Sequence, residues 1–113
     1  MKKANTPYRI VWRPIAEADL DNIIDYIARD NPIKAEKFGQ ELRDKTLPLA
    51  QYSKLYRTGR PGLPACLREL VAHRNYIIFY RVPDEARTVE ILRVKHAAQQ
   101  TPLAEVAVMP LAP

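Results

Sequence analysis

Three runs of apolar residues in the second half of the chain predict a meander of short β-strands. The runs cover about residues 67–72, 75–82 and 87–95, and residues that favour turns separate them. In the middle run, Tyr76, Ile78 and Tyr80 alternate with Ile77 and Phe79, and alternating strand side chains point to opposite faces. Both faces of the predicted sheet are therefore apolar.

The turns of this meander are predicted from short polar segments between the apolar runs. A tight hairpin around His73 and Arg74 joins the first two strands, and residues 83–86 form the second turn. The longest irregular segment, residues 53–66, precedes the meander and contains two glycines and two prolines.

The first part of the chain predicts one strand followed by a helix. Residues 8–12 alternate weakly between polar and apolar side chains, which is typical of a strand. Pro14 favours the first turn of a helix, where its missing N–H group costs nothing. Apolar residues at helical spacing continue from Ala16 to Ile27, so the helix should reach at least that far.

A second helix is predicted directly after the first. Asn31 is an expected N-cap and Pro32 an expected first helical residue. Pro48 removes a backbone donor, so this helix should kink or end near residues 45–48. The link between the helices is short, which predicts an antiparallel helical hairpin.

The complete order of elements, β-α-α-β-β-β, predicts an α+β fold with a helical hairpin packed on a small, mainly antiparallel four-stranded sheet. Residues 1–101 should form a single domain, and residues 102–113 an Ala/Pro-rich C-terminal tail. The helices can cover one face of the sheet, and nothing else in the chain is expected to cover the other face fully. That second face is therefore predicted to be a surface for a partner.

Composition narrows the classes of function. The 113 residues carry a net charge of +5, and five of the thirteen acids lie in residues 14–30, so the remainder is strongly basic. A basic surface favours an acidic partner, either nucleic acid or an acidic protein segment. A single cysteine, Cys66, and the lack of Cys/His spacing predict no metal and no cofactor. No apolar segment follows Met1-Lys2-Lys3 or is long enough to cross a membrane, so a cytoplasmic location without membrane contact is expected.

Five segments, taken together and in this order, resemble the RelE/ParE superfamily of toxins from bacterial type II toxin–antitoxin modules. The segments are WRPIAEADL at 12–20, GRPG at 59–62, RELV at 68–71, YIIFYRV at 76–82 and ILRVKHAAQQ at 91–100. The resemblance spans roughly residues 8–101, nearly the whole predicted domain. It implies a cognate antitoxin whose C-terminal segment folds on the toxin, and a hetero-oligomeric toxin–antitoxin complex.

The resemblance implies one of two cellular targets. RelE-like members are endoribonucleases that cleave mRNA on the ribosome, whereas ParE-like members are described as inhibitors of DNA gyrase without catalytic residues of their own. Ala97 follows His96 where ribonuclease relatives tend to carry an aromatic residue, and the chain ending is more similar to the ParE-like branch. The ParE-like reading is therefore favoured, with the ribonuclease as the alternative.

The candidate site residues are mainly cations of the predicted strands and loop. If the chain is a ribonuclease, the catalytic candidates are Arg68, Glu69, Arg81, Arg93 and His96. The candidates for binding an antitoxin or a target are Arg60, Arg68, Arg74, Arg81, Arg93, Lys95 and His96. Like charges on adjacent strands repel each other, so such a cluster is tolerated most easily when an anionic partner is expected.

Four less specific interpretations remain open. His96 could simply cap the last strand through a hydrogen bond, and Glu69 could pair with an arginine of a neighbouring strand. The chain could also be a non-toxic binding module on the same scaffold, because fold does not fix function. A nucleic-acid-binding regulator would fit the basic charge, but the chain contains no helix-turn-helix pattern, zinc spacing or interleaved aromatic–basic motif.

Overall fold

The computed structural model describes residues 6–58 and 66–98. Its helices and strands are β1 (Arg9–Trp12), α1 (Pro14–Ala28), α2 (Pro32–Asp44), β2 (Arg68–His73), β3 (Tyr76–Arg81) and β4 (Thr88–His96). Single 3-10 turns lie at Leu47–Ala50 and Asp84–Ala86. This order confirms the predicted α+β arrangement. Arg60 and the predicted tail, residues 102–113, lie outside the described residues.

The four strands form one mixed sheet in the order β1-β4-β3-β2. The two hairpin pairings, β2 with β3 and β3 with β4, are antiparallel, while β1 pairs with β4 in parallel. The sheet is thus mainly antiparallel, as predicted. β1 is short, and its last residue, Trp12, pairs with Ile91, so residues 92–96 of β4 extend beyond it.

The two helices begin where local chemistry predicts. Arg13 has an extended backbone and Pro14 occupies the first helical position of α1. The side chain of Asn31 accepts a hydrogen bond from the Lys34 N–H at 3.1 Å, which confirms it as the N-cap of α2. α2 ends at Asp44, before Pro48, in agreement with the predicted stop.

The main core lies between the helical hairpin and one face of the sheet. Leu20 of α1 and Leu42 of α2 pack with Ile78, Tyr80 and Ile91 of the central strands. The helices approach each other closely at Gly39, where an added Cβ would lie 2.5 Å from the Ile24 Cδ1 atom. The helices therefore cover the face that carries Tyr76, Ile78 and Tyr80, a choice that the sequence pattern left open.

The second face of the sheet is not open at its centre, so the prediction of an uncovered apolar face is wrong there. Leu67, Ile77, Phe79 and Leu92 form a second buried cluster, and none of them is more than 9% exposed. Burial of these side chains removes their apolar area from water, so this part of the second face offers no open apolar surface. Only Val71, at 58% exposure, remains a large open apolar residue on β2.

The first hairpin turn is shifted by one residue from its predicted position. A bulge between Val71 and His73 keeps His73 within β2, so the turn consists of Arg74 and Asn75. The His73 ring then contacts Phe38 of α2 edge to face, with centroids 5.2 Å apart. A bulge shifts the alternation of side chains, and the sequence gives no clear indication of it.

Candidate functional site

One concave surface formed by the described residues is a cleft between α1 and the end of β4. It arises because β1 stops opposite Ile91, while the following helix diverges from the remaining residues of β4. Its volume of about 430 Å³ lies within the range of ligand-binding pockets. The residues that line it are Asp19, Asn22, Ile23, Tyr26, Tyr76, Val94, Lys95 and His96.

Asp19 fixes the inner end of this cleft. Its carboxylate accepts two hydrogen bonds from the Arg93 guanidinium, at 2.7 and 2.9 Å, and a third from the Val94 N–H at 3.0 Å. Both side chains of this ion pair are largely buried, so screening by water is weak. At the edge of β4, the Asp19 carboxylate therefore accepts the Val94 N–H hydrogen bond that a neighbouring strand would otherwise accept.

Aromatic rings form the floor of the cleft. The Tyr76 ring contacts His96 and Phe38 edge to face, with centroid distances of 5.2 and 5.5 Å. Burial raises the pKa of the Tyr76 hydroxyl above its ordinary value, so this group stays protonated at neutral pH. Tyr26 on α1 is 68% exposed and lies at the rim of the cleft.

His96 has a defined orientation at the outer end of the cleft. Its Nδ1 atom accepts a hydrogen bond from the Ala98 N–H at 3.1 Å. The neutral imidazole therefore carries its proton on Nε2, because an accepting nitrogen cannot also hold one. This contact is the capping hydrogen bond that the sequence suggested as one role for His96.

A second cluster of charged residues lies far from the cleft, where β3 ends. Glu90 is fully buried, and its two oxygens accept hydrogen bonds from Arg13 at 2.8 Å and from Arg81 at 3.0 Å. The two arginine side chains are only 16% and 13% exposed. Arg81 thus has an anionic partner within the chain.

Two further candidates, Arg68 and Glu69, lie on β2. Arg68 donates a hydrogen bond of 2.7 Å to the backbone carbonyl of Tyr56. Glu69 is 4% exposed and accepts two hydrogen bonds from Arg57, at 2.9 and 2.7 Å. The sequence suggested that Glu69 pairs with an arginine of a neighbouring strand; Glu69 does pair with an arginine, but that residue is Arg57 of the segment before β2 and not a strand residue.

The five ribonuclease candidates are not brought together at one point. Arg68 pairs with Tyr80, whereas His96 pairs with Tyr76 at the other end of β3. Four residues along a strand correspond to ~13 Å, and two strand spacings separate β2 from β4 by ~10 Å. Among the described residues that were predicted to bind a partner, Lys95 and His96 line the cleft, while Arg74 is exposed in the first hairpin turn.

Sequence reasoning missed the contribution of α1 and of the internal carboxylates. Asp19, Asn22 and Tyr26 form one wall of the cleft, and Glu90 holds Arg81. The concentration of acids in residues 14–30 was visible, and their spacing fits an exposed helix face. Asp19 is placed at the cleft by its pairing with Arg93 and by its contact with the Val94 N–H, and neither contact can be inferred from the sequence pattern.

Neither a metal site nor a membrane span is found in the described part of the chain. Across residues 6–58 and 66–98, no three His, Cys, Asp or Glu side chains are grouped so that they could hold a metal ion. Within the same ranges, no helix is long and apolar enough to span a membrane.

Comparison with known proteins agrees with this fold. Residues 10–101 match the family described as ParE toxin of type II toxin-antitoxin system, parDE. The chain is 37% identical over 91 residues to Toxin RelE2 of Caulobacter vibrioides, an alignment that covers 80% of this chain and 97% of the relative.

Two solved structures are also similar. A chain of the chromosomal ParDE system from P. aeruginosa matches with a TM-score of 0.66 and 31% identity, covering 79% of this chain and 95% of that one. A chain of the RelBE2 toxin–antitoxin complex from Mycobacterium tuberculosis matches with a TM-score of 0.56 and 25% identity, covering 87% and 100%.

The fold, two helices on a four-stranded mixed sheet, is that of the RelE/ParE toxins. The chain belongs to the ParE toxin family of type II toxin–antitoxin systems. The resemblance inferred from the five sequence segments is thereby confirmed at the level of the superfamily.

Proposed function

We propose that this toxin stops growth by inhibiting DNA gyrase, and that it has no catalytic residues of its own. The observation that carries the proposal is the dispersal of the ribonuclease candidates over the sheet. Glu69, Arg81 and Arg93 each form a short ion pair within the chain, with Arg57, Glu90 and Asp19. RNA cleavage requires an acid, a base and phosphate-binding cations around one phosphate, which this arrangement does not favour.

The family assignment supports the same target. The matching family is that of ParE toxins, and the ParDE chain has both the higher TM-score and the higher identity of the two structures compared. Under this proposal, the toxin acts in the cytoplasm and contacts the gyrase–DNA complex through polar side chains, among them Arg74, Lys95 and His96. Arg60 remains a predicted contact of the same kind.

We further propose that a cognate antitoxin neutralises the toxin in a hetero-oligomeric complex. The two solved relatives come from a ParDE system and from a RelBE2 toxin–antitoxin complex. The basic character of the chain, with a net charge of +5, fits a partner with an acidic segment.

Ribosome-dependent cleavage of mRNA is the second candidate function, and one specific observation favours it. His96, Lys95 and Tyr76 are grouped at one cleft, and these residue types are suited to acid–base chemistry and phosphate binding. A relative with 37% identity is also named RelE2. A ribonuclease built here would rely on this cleft rather than on Arg68, Glu69 or Arg81.

Purified components can separate the two targets. The toxin is added to gyrase with relaxed plasmid DNA, and in parallel to ribosomes translating a defined mRNA. We expect loss of supercoiling and intact mRNA, and we expect His96→Ala to leave mRNA unaffected as in the wild type. Cleavage of the ribosome-bound mRNA that is abolished by His96→Ala but not by the surface variant Lys37→Glu would refute gyrase as the target.

A further inference from the structure

We infer that the outer edge of β2 binds the phosphate backbone of duplex DNA without reading its sequence. The inference deepens the proposed function and rests on it, because it identifies the DNA held by gyrase as the component that this edge of the toxin contacts. Three features of the described residues support it: the cations along the edge, the contacts that hold them in place, and the position of the exposed acids.

β2 is the outermost strand on one side of the sheet, and arginines lie at both ends of its edge. Arg68 is its first residue, and Arg74 follows its last residue in the exposed hairpin turn. Six residues along a strand correspond to ~20 Å, which is the axial length of about six phosphates of one DNA strand. Within residues 6–58 and 66–98, neither arginine forms an ion pair with a carboxylate.

A third arginine lies beside the first half of this edge. The Arg57 carbonyl accepts the Glu69 N–H at 3.1 Å, which places residue 57 alongside β2. The Arg57 side chain donates two hydrogen bonds to the buried Glu69 carboxylate, at 2.9 and 2.7 Å, yet it is 77% exposed. A guanidinium has five N–H donors, so one that is held in this way can still donate to a phosphate from its exposed side.

The arginines near the start of β2 are fixed on both sides of the edge. Arg68 donates a hydrogen bond of 2.7 Å to the Tyr56 carbonyl, while Arg57 is held by Glu69. Because adjacent strand side chains point to opposite faces, Arg68 and Glu69 place these two guanidinium groups on opposite sides of the edge. This arrangement suits a backbone that passes along the edge, and side chains that are already held lose less conformational freedom on binding.

The exposed acids of α1 lie away from this edge. α1 packs against β4, whereas the His73 ring of β2 contacts Phe38 of α2, so β3 and α2 separate β2 from α1. Asp84 is closer to Arg68, but its carboxylate pairs with Lys54 at 2.7 Å. A phosphate at the β2 edge would therefore meet cations first and little opposing negative charge. The exposed acids of α1 and of the residues just after it are Asp21, Asp25 and Asp30.

Duplex DNA fits this edge better than a protein or an unpaired nucleic acid does. Protein interfaces are centred on apolar and aromatic side chains, whereas Val71 is the one large apolar residue of β2 (Arg68–His73) that is exposed. Strand addition is blocked near Glu69, because its N–H already donates to the Arg57 carbonyl. β2 carries no Phe, Tyr or Trp on which unpaired bases could stack, while binding to a duplex backbone requires only cations.

The test measures binding of a labelled duplex of about 20 base pairs to the purified toxin, by fluorescence anisotropy between about 50 and 200 mM salt. Arg74→Gln and Arg68→Gln each remove one cation of the edge, and Arg74 lies in an exposed turn where the change should not disturb folding. Arg29→Gln is the matched control, since it removes the same charge from an exposed position at the end of α1. Circular dichroism verifies that all variants fold.

The expected salt dependence follows from three phosphate contacts. The slope of log K against log salt should be about −2.7, so the affinity of the wild type should fall about 40-fold across this range of salt. Each edge variant should flatten the slope by about 0.9 and weaken binding about tenfold at the lowest salt. Arg29→Gln should keep the slope of the wild type.

Three results would overturn the inference: no binding of duplex DNA by the wild type, an unchanged slope in both edge variants, or tighter binding of single-stranded RNA of the same length. Supercoiling by gyrase is measured in parallel with the same proteins. Edge variants that bind DNA weakly but inhibit gyrase as strongly as the wild type would also overturn it and leave the proposed function intact. A wild-type toxin that binds the duplex as expected, but does not inhibit supercoiling, would confirm the edge and refute gyrase as the target.

Discussion

Replacing Glu90 with glutamine should strongly destabilise the toxin. Glu90 is fully buried on β4 and accepts hydrogen bonds from Arg13 at 2.8 Å and from Arg81 at 3.0 Å. Through these two contacts, one carboxylate links the junction of β1 and α1 to the end of β3. Glutamine has nearly the same shape, so the variant removes the negative charge and leaves the packing almost unchanged.

The size of the effect follows from burial. Removing one partner of a buried ion pair leaves uncompensated charge in a poorly hydrated site, which costs about 3–5 kcal/mol. Glutamine keeps one acceptor oxygen, so we expect the low end, about 3 kcal/mol. With a urea dependence of about 1.5 kcal/mol per M for a domain of this size, the unfolding midpoint should fall by about 2 M.

The assay is equilibrium urea unfolding, followed by circular dichroism and by the fluorescence of Trp12, the one tryptophan of the chain. Glu17→Gln is the matched control, because Glu17 also pairs with an arginine, Arg43, at 2.7 Å, but both side chains are more than a third exposed. That control should lose less than about 1 kcal/mol. A Glu90→Gln midpoint that falls no further than the Glu17→Gln midpoint would refute the argument from burial.

Three further predictions concern packing and pH. Gly39→Ala should lower the unfolding free energy by about 1 kcal/mol despite its better helix propensity, because the new Cβ would lie 2.5 Å from the Ile24 Cδ1 atom and 2.8 Å from its Cγ1 atom. In an Ile24→Ala background, which lacks both of these atoms, the same substitution should cost less in thermal unfolding. The hydrogen bond from Lys54 lowers the pKa of Asp84 in the folded protein below its ordinary value of 3.8. This contribution to the free energy of unfolding is present above pH 3.8 and is lost as the pH falls through the folded pKa. In Asp84→Asn, the midpoints of urea unfolding should therefore depend less on acid pH. Burial raises the pKa of the Tyr80 hydroxyl in the folded protein above its ordinary value of 10.0. The free energy of unfolding should therefore fall as the pH rises above 10.0, because the unfolded chain loses this proton first. If Tyr80→Phe lost the same stability at alkaline pH as the wild type, Tyr80 would not be the cause.

The elements with local determinants were predicted correctly from the sequence. Asn31 and Pro32 specify the start of α2 through neighbouring atoms, and Pro14 does the same for α1. The three C-terminal strands follow from apolar runs and short turns, which are local as well. The bulge that moved the first turn to Arg74 and Asn75 depends on contacts made in the folded sheet, so its position was missed by one residue.

The environment of the strand arginines was not predictable because it depends on residues far apart in sequence. Arg93 meets Asp19 across 74 positions, and Arg13 meets Glu90 across 77. Without the parallel pairing of β1 with β4, neither contact can be inferred from spacing. The arginines were therefore interpreted as awaiting an external anion, whereas Arg81 and Arg93 have internal ones. Lys95 and His96 follow the last apolar run, and their place at a cleft depends on where α1 lies.

Inhibition of gyrase is tested most directly by a short pulse of toxin expression in growing bacteria, with DNA synthesis and protein synthesis followed separately by label incorporation. The account predicts that DNA synthesis stops first, that DNA breaks accumulate, and that co-expression of the neighbouring antitoxin gene prevents both. An early stop of protein synthesis with cleaved ribosome-bound mRNA, while DNA synthesis continues, would contradict the account and make His96 at the cleft the first catalytic candidate.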